Sequence, residues 1–188
     1  MYYKYNVQLK KGWNLISFYI DNILLDSFIK NKNIIEITDM KHIYYRDSSI
    51  TDLKELTIYS AYWINSEQDI LIEVDGVGNK NDITISLYKG WNLVGYPHRF
   101  NWSISSIIQN KNITQIKNNN LVYNSLLSAN LNTLKEFESG SGYWIYVEND
   151  TDIEFKYPFE YNIVTEDHMI NGLVLLDDLS QDELKENF

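Results

Sequence analysis

The chain has 188 residues, of which 44% are hydrophobic and 14% aromatic, and its formal net charge is −10. This composition supports one packed domain or two small ones and argues against intrinsic disorder. The sequence contains no cysteine, which excludes disulfides, thiolate metal ligands and cysteine nucleophiles. Nucleic-acid binding needs a basic face, and a bilayer span needs about 20 apolar residues. We therefore expect neither a nucleic-acid partner nor membrane insertion.

The first elements of the chain are predicted from alternating apolar residues. Val7, Leu9, Trp13 and Leu15 alternate with polar residues, which predicts a hairpin over 5–19 that turns at Lys11-Gly12. A short helix, a meander and a closing hairpin follow, with the helix at 21–32, strands at 34–37 and 42–45, a connector at 51–56 and paired strands at 62–65 and 70–74. Residues 75–82 are rich in turn formers and form a linker.

The second part of the chain repeats the first. Lys-Gly-Trp-Asn-Leu at 11–15 returns at 89–93, and Leu-Lys-Glu-Leu at 53–56 returns as Leu-Lys-Glu-Phe at 134–137. Ser-Ala-Tyr-Trp-Ile at 60–64 returns as Ser-Gly-Tyr-Trp-Ile at 141–145. Matched blocks in the same order predict duplication of one unit. We predict a β-rich α+β fold with two pseudo-symmetric hairpin–short helix–meander repeats, 1–78 and 79–157.

The tryptophans of the repeated blocks are the predicted structural anchors. A buried tryptophan covers roughly 200 Å² of apolar surface, so we expect Trp13 with Trp63, and Trp91 with Trp144, at the centres of two related cores. The alternative is an exposed platform that binds sugar or peptide. Candidate exposed contacts lie outside the matched pattern or differ between the copies, and they are Tyr59, Trp102 and Tyr146, with His98 in a loop that has no counterpart in the first copy.

Gly-Trp-Asn-Leu followed by Gly/Ala-Tyr-Trp-Ile resembles the "GWNL" repeat modules of bacterial and archaeal surface proteins. Similar stretches occur in proteins of large DNA viruses, and the likeness covers about residues 5 to 157. The resemblance implies an accessory or adhesive role. The first copy has Ala61 where such modules usually have glycine, and Met1 to Tyr5 show no secretory leader. The missing leader argues against the usual cell-surface setting, which is kept as an alternative.

Residues 158–188 form the predicted acidic C-terminal cap or arm. From Phe159 onward the chain has eight acidic residues and one lysine. The segment Ser180 to Glu183 is a capping box that predicts a short helix, after strands near 161–164 and 172–176. This strand/helix cap either docks on the second repeat or engages a basic partner, and in the second case Asp177, Asp178 and Glu183 are the candidate contacts.

No catalytic or cofactor motif accompanies these elements. The three histidines, His42, His98 and His168, are far apart and have no metal-ligand spacing. We therefore predict a non-enzymatic structural or interaction protein without a cofactor, a component of a virus or phage particle that contacts other proteins. The alternatives are a carbohydrate-binding or cell-attachment module that contacts glycans, and a hydrolase with an unrecognised site. The predicted location is the virion, with the cell surface or cytoplasm as alternatives.

Overall fold

A computed structural model describes residues 2–30, 33–49 and 51–157, together with the backbone of two paired strands, Val164–Thr165 and His168–Met169. Residues 1–155 make one compact unit and residues 156–188 a second. Most of the predicted C-terminal cap, including Asp177, Asp178 and Glu183, lies outside the described residues. Among the described residues, no helix is long and apolar enough to cross a membrane.

The first half of the large unit is built on a four-stranded antiparallel sheet. Its strands, in spatial order, are β2 (Gly12–Ile16), β7 (Tyr62–Ser66), β4 (Ile34–Thr38) and β5 (Ile43–Tyr45). Two antiparallel pairs accompany it: β1 (Tyr2–Leu9) with β8 (Ile70–Val77), and β3 (Ile23–Leu24) with β6 (Glu55–Leu56). The predicted helix at 21–32 is only α1 (Leu25–Ile29), which directly follows β3.

The second half has the same strand order. Its four-stranded sheet consists of β10 (Gly90–Gly95), β15 (Gly142–Val147), β12 (Ile113–Lys117) and β13 (Val122–Asn124). The accompanying pairs are β9 (Ile83–Leu87) with β16 (Thr151–Phe155), and β11 (Trp102–Ser103) with β14 (Glu136–Phe137). A 3-10 turn, Ile107–Gln109, takes the place of the short helix predicted for the second repeat. The β-rich prediction is confirmed, whereas helix is minimal in the described part of the chain.

The predicted hairpin at 5–19 does not form. Strand β1 pairs with β8, and β2 pairs with β7, so the chain changes sheet at Lys11-Gly12. Gly12 has φ +92°, a conformation that L side chains rarely adopt. Its counterpart Gly90 has φ +102°. The predicted closing hairpin at 62–74 is wrong for the same reason, because β7 and β8 belong to different sheets.

An asparagine and an aspartate hold each corner. Asn14 accepts the backbone N–H of Lys10 at 2.9 Å and donates to the Lys10 carbonyl at 2.8 Å. Asp69, on the adjacent return of the chain, accepts the N–H of Lys11 at 2.8 Å. These side chains form hydrogen bonds with backbone groups at the corner, where the chain has left one strand ladder and has not yet joined the next. The asparagine of the repeated phrase therefore has a structural role.

The two halves meet through backbone hydrogen bonds at the ends of β2 and β10. The N–H of Ser17 donates to the Gly140 carbonyl at 2.9 Å, and the N–H of Gly95 donates to the Tyr59 carbonyl at 3.2 Å. A β-carbon added to Gly142 would lie 2.6 Å from the β-carbon of Ala61. The small residues before each Tyr-Trp are thus where the halves approach each other.

Each half has its own apolar core. The first contains Phe18, Phe28 and Tyr62, whose rings contact one another around Phe18. The second centres on an aromatic cluster, in which Phe137 contacts the rings of three others: Tyr96, Tyr143 and Phe155. None of the four tryptophans predicted to anchor the repeats belongs to the buried residues of either core.

Candidate functional site

The tryptophans of the repeated phrases lie on the outer faces of the two sheets. Trp13 is 50% exposed and Trp91 is 42% exposed, while Trp63 and Trp144 are half-buried. The prediction that these four are interior anchors is wrong. In β7 the buried side chains are Tyr62 and its alternate neighbours, so the residue between them must point outward.

On each sheet the two tryptophans contact each other across neighbouring strands. The Trp13 and Trp63 rings are 6.4 Å apart at an interplanar angle of 83°, and the Trp91 and Trp144 rings are 6.5 Å apart at 88°. Trp13 lies opposite Asn65 in the ladder, so its contact with Trp63 is diagonal. Diagonal aromatic pairs of this kind stabilise a sheet while leaving much of the rings in water.

We define the first Trp face as Trp13, Trp63 and the residues beside them on the outer side of β4, Glu36 and Thr38. These positions follow from the ladder, in which Glu36 lies opposite Asn65 and Thr38 opposite Trp63. All of these side chains are at least partly exposed.

The second Trp face consists of Trp91, Trp144, Tyr146, Gln115 and Lys117. Gln115 lies opposite Tyr146, and Lys117 opposite Trp144. The Lys117 ammonium is 4.4 Å from the centroid of a Trp91 ring, a cation–π contact. Tyr146 contacts Trp91 with ring centroids 5.3 Å apart. The second face is therefore partly covered by its own lysine and tyrosine.

The candidate contacts Tyr59, Trp102 and Tyr146 do not form one site. In the described part of the chain, ring contacts join Tyr146 to Trp91 but join neither Tyr59 nor Trp102 to it. Tyr59 is 48% exposed and borders an open groove of about 620 Å³ with Asn79 and Asn81. Trp102 packs against the second core, and its indole N–H donates to the Ser106 hydroxyl at 3.2 Å.

His98 is a core residue and not a surface contact. It is 1% exposed, its Nε2 donates to the Phe155 carbonyl at 3.1 Å, and its ring stands edge-on to Tyr96. Burial lowers the pKa of His98 below its usual value, against the hydrogen bond to Phe155 and the charge of Asp82. The neutral ring is thus the form that the folded chain stabilises.

This burial makes stability depend on pH. Because the folded-state pKa of His98 is lowered, the unfolded chain binds its proton first, and stability is lost as pH falls below the usual value of about 6.5. We expect the free energy of unfolding to fall as the pH is lowered from 7 towards 5, by at most about 1.4 kcal/mol per pH unit, which is the limit for one proton. Urea unfolding of wild type and His98→Gln measures it, since glutamine keeps an N–H donor for Phe155. An equal slope in both proteins would contradict the assignment.

The described residues offer one histidine–carboxylate pair with the form of a catalytic dyad. His42 Nδ1 lies 3.2 Å from Asp39 Oδ2 beside an open pocket of about 310 Å³. Burial alone would raise the pKa of Asp39, but hydrogen bonds from the backbone of His42 and Lys41 outweigh it and lower the pKa. Asn118, the counterpart in the second half, accepts the same two backbone N–H groups, from Asn120 and Leu121. The Asp39 carboxylate therefore stabilises the turn, a role that the Asn118 amide fills in the second half.

Among the described residues no three histidine or acidic side chains gather as metal ligands would. Comparison with known proteins adds no assignment: no protein-family model matches the chain, and neither curated proteins nor solved structures contain a match. The resemblance to GWNL modules therefore stays a prediction.

Proposed function

We propose that this chain is a non-enzymatic interaction protein, built from two copies of one unit, that binds other proteins through the two Trp faces. The observation that carries the proposal is the exposure of Trp13 and Trp91 at matched positions of two sheets with the same strand order. Tryptophan is enriched among the residues that dominate binding energy in protein interfaces. The packing of the two cores gives no reason for these rings to face outward.

The registers of the two sheets support duplication. The β4–β7 ladder shifts between Ile34 and Glu36, and the β12–β15 ladder shifts between Ile113 and Gln115, 79 residues later in both cases. A register shift of this kind is a local feature of one strand pair and not a general property of sheets, so its recurrence at matched positions supports duplication. Two copies of one surface also allow bivalent contact, which strengthens weak binding without new contacts.

The test is partner capture with matched variants. Purified wild type, Trp13→Ala/Trp91→Ala and Tyr59→Ala are used as baits in extract of the source organism, and partners are identified by mass spectrometry. Tyr59 is the control because it is exposed to nearly the same extent as Trp13. A partner that uses a Trp face as a hot spot should bind the double variant about 30-fold more weakly, a loss of about 2 kcal/mol.

The Tyr59 control should bind that partner as wild type does. Urea unfolding must first show that both variants are folded, since a diagonal aromatic pair contributes about 0.5–1.5 kcal/mol. Equal capture by all three baits would refute the role of the Trp faces. Mass spectrometry of purified particles tests the proposed place in a virion, and a bait that lacks residues 159–188 tests the acidic arm.

A carbohydrate-binding module is the second candidate, and the groove beside Tyr59 favours it. The groove combines an exposed aromatic ring with the amide residues Asn79 and Asn81, which suit a sugar's apolar face and hydroxyl groups. The near-perpendicular tryptophan pairs do not form a flat platform. Glycan-array binding that is lost in Tyr59→Ala and kept in Trp13→Ala/Trp91→Ala would favour this candidate over the first.

A further inference from the structure

The two Trp faces differ in charge at the position beside the inner tryptophan. In the second face this position is Lys117, whose ammonium lies 4.4 Å from a Trp91 ring centroid. In the first face it is Thr38, whose hydroxyl donates to the His42 carbonyl and accepts the Met40 N–H within its own turn. Among the described residues no cation lies over Trp13. The first face thus has the aromatic surface without the cation that covers its counterpart.

A second difference is a negative charge that only the first face carries. Next along the outer side of the same strand, the first face carries Glu36 and the second carries Gln115, and both lie at the same place in the ladder. The first face therefore holds a carboxylate and no lysine, whereas the second holds a lysine and no carboxylate. A tryptophan ring attracts a cation through its quadrupole, and a nearby carboxylate adds to that attraction.

We propose that the first Trp face binds a lysine side chain of a basic segment on a partner protein, in the place that Lys117 fills on the second face. This inference rests on the proposed function and names the chemistry of the partner. The Glu36 carboxylate on this face, on a chain whose net charge is negative overall, favours a basic partner over an acidic one. The occupant is a flexible aliphatic stem whose methylenes can pack on the rings and whose ammonium takes the place over a ring that the Lys117 ammonium takes over Trp91.

The probe is the peptide acetyl-Gly-Lys-Gly-amide, compared with the same peptide containing norleucine, which has no charge. Each is titrated into the full chain while the indole N–H signals are followed by ¹⁵N NMR, assigned by single Trp→Phe substitutions. The Trp102 indole, already bonded to Ser106, serves as an internal reference. The lysine peptide should move the Trp13 signal saturably, with affinity about two- to five-fold higher than that of the norleucine peptide.

A reciprocal exchange provides matched variants. In Thr38→Lys the first face carries its own cation, so the Trp13 signal should no longer respond to the lysine peptide, whereas Thr38→Met should respond as wild type. In Lys117→Thr the second face loses its own cation, so the Trp91 signal should begin to respond. Glu36→Gln should weaken the response at Trp13. The gain in Lys117→Thr tests the proposal even if substitutions at Thr38 disturb the turn.

Equal responses to the lysine and norleucine peptides would overturn the inference, and so would a Thr38→Lys protein that responds as wild type. A methyl glycoside that moves the Trp13 signal when the lysine peptide does not would identify a sugar surface and also overturn it. These failures are distinct from failure of the proposed function. Loss of lysine preference with continued Trp-dependent partner capture would leave a Trp face that binds proteins by other contacts.

Discussion

Gly95→Ala should lower the free energy of unfolding by about 3 kcal/mol, at the upper end of the usual cost of overpacking. A β-carbon on Gly95 would lie 2.5 Å from the Ser60 carbonyl oxygen and 2.8 Å from the Ile58 carbonyl oxygen. Both obstacles are backbone atoms, so no side-chain rotation relieves the clash. The segments must separate, which also weakens the hydrogen bond from the Gly95 N–H to Tyr59.

Urea unfolding measures this loss, and Gly12→Ala is the control. Gly12 has φ +92° and open space where a β-carbon would stand, so its substitution has a conformational cost of about 1–2 kcal/mol and no steric clash. A Gly95→Ala protein within 1 kcal/mol of wild type would show that the two halves do not meet closely at this point.

The counterpart of Gly95 in the first half is a serine, and its environment explains why a side chain fits there. The Ser17 hydroxyl donates to the Ser141 carbonyl at 2.8 Å and lies 3.2 Å from the Tyr96 N–H, whose proton it accepts. The side chain thus connects the two halves. The junction is therefore asymmetric, with a bridging hydroxyl on one side and direct backbone approach on the other.

The strands of the fold are largely predictable from the sequence, but their partners are not. Alternation of apolar residues locates β1 and β2 because each strand has one buried face. A glycine between two such strands is equally typical of a hairpin turn and of a corner between sheets. The distinction depends on Asn14 and Asp69, which are 55 positions apart, and local pattern carries no information about a contact of that range.

The orientation of the tryptophans could not be read from β7 because its residues on both faces include large apolar side chains. Tyr62 and Ile64 point inward, and Trp63 between them points outward. The polar residue Asn65, directly opposite Trp13, indicates that this side of the sheet faces solvent. The second half hides the signal, since Tyr146 stands at the same place.

Phe137→Ala should lower the free energy of unfolding by about 3–5 kcal/mol, because it removes the ring at the centre of the second core. Phe137 is fully buried, and its ring centroid lies 4.7 Å from that of Tyr143 and 5.2 Å from that of Phe155. Rings held on several sides cannot all collapse into the space that the substitution leaves, so a cavity remains.

The first half supplies the control for this substitution. Leu56 holds the corresponding place, opposite Ile23 in a two-stranded ladder as Phe137 lies opposite Trp102, and it is also fully buried. Phe137→Leu should therefore cost only about 1–2 kcal/mol, because a leucine fills most of the volume in this position. Urea unfolding followed by near-ultraviolet circular dichroism compares the two variants. If leucine were as damaging as alanine, the second core would depend on aromatic ring contacts and not on filled volume. If alanine cost less than 1 kcal/mol, Phe137 would not be the centre of that core.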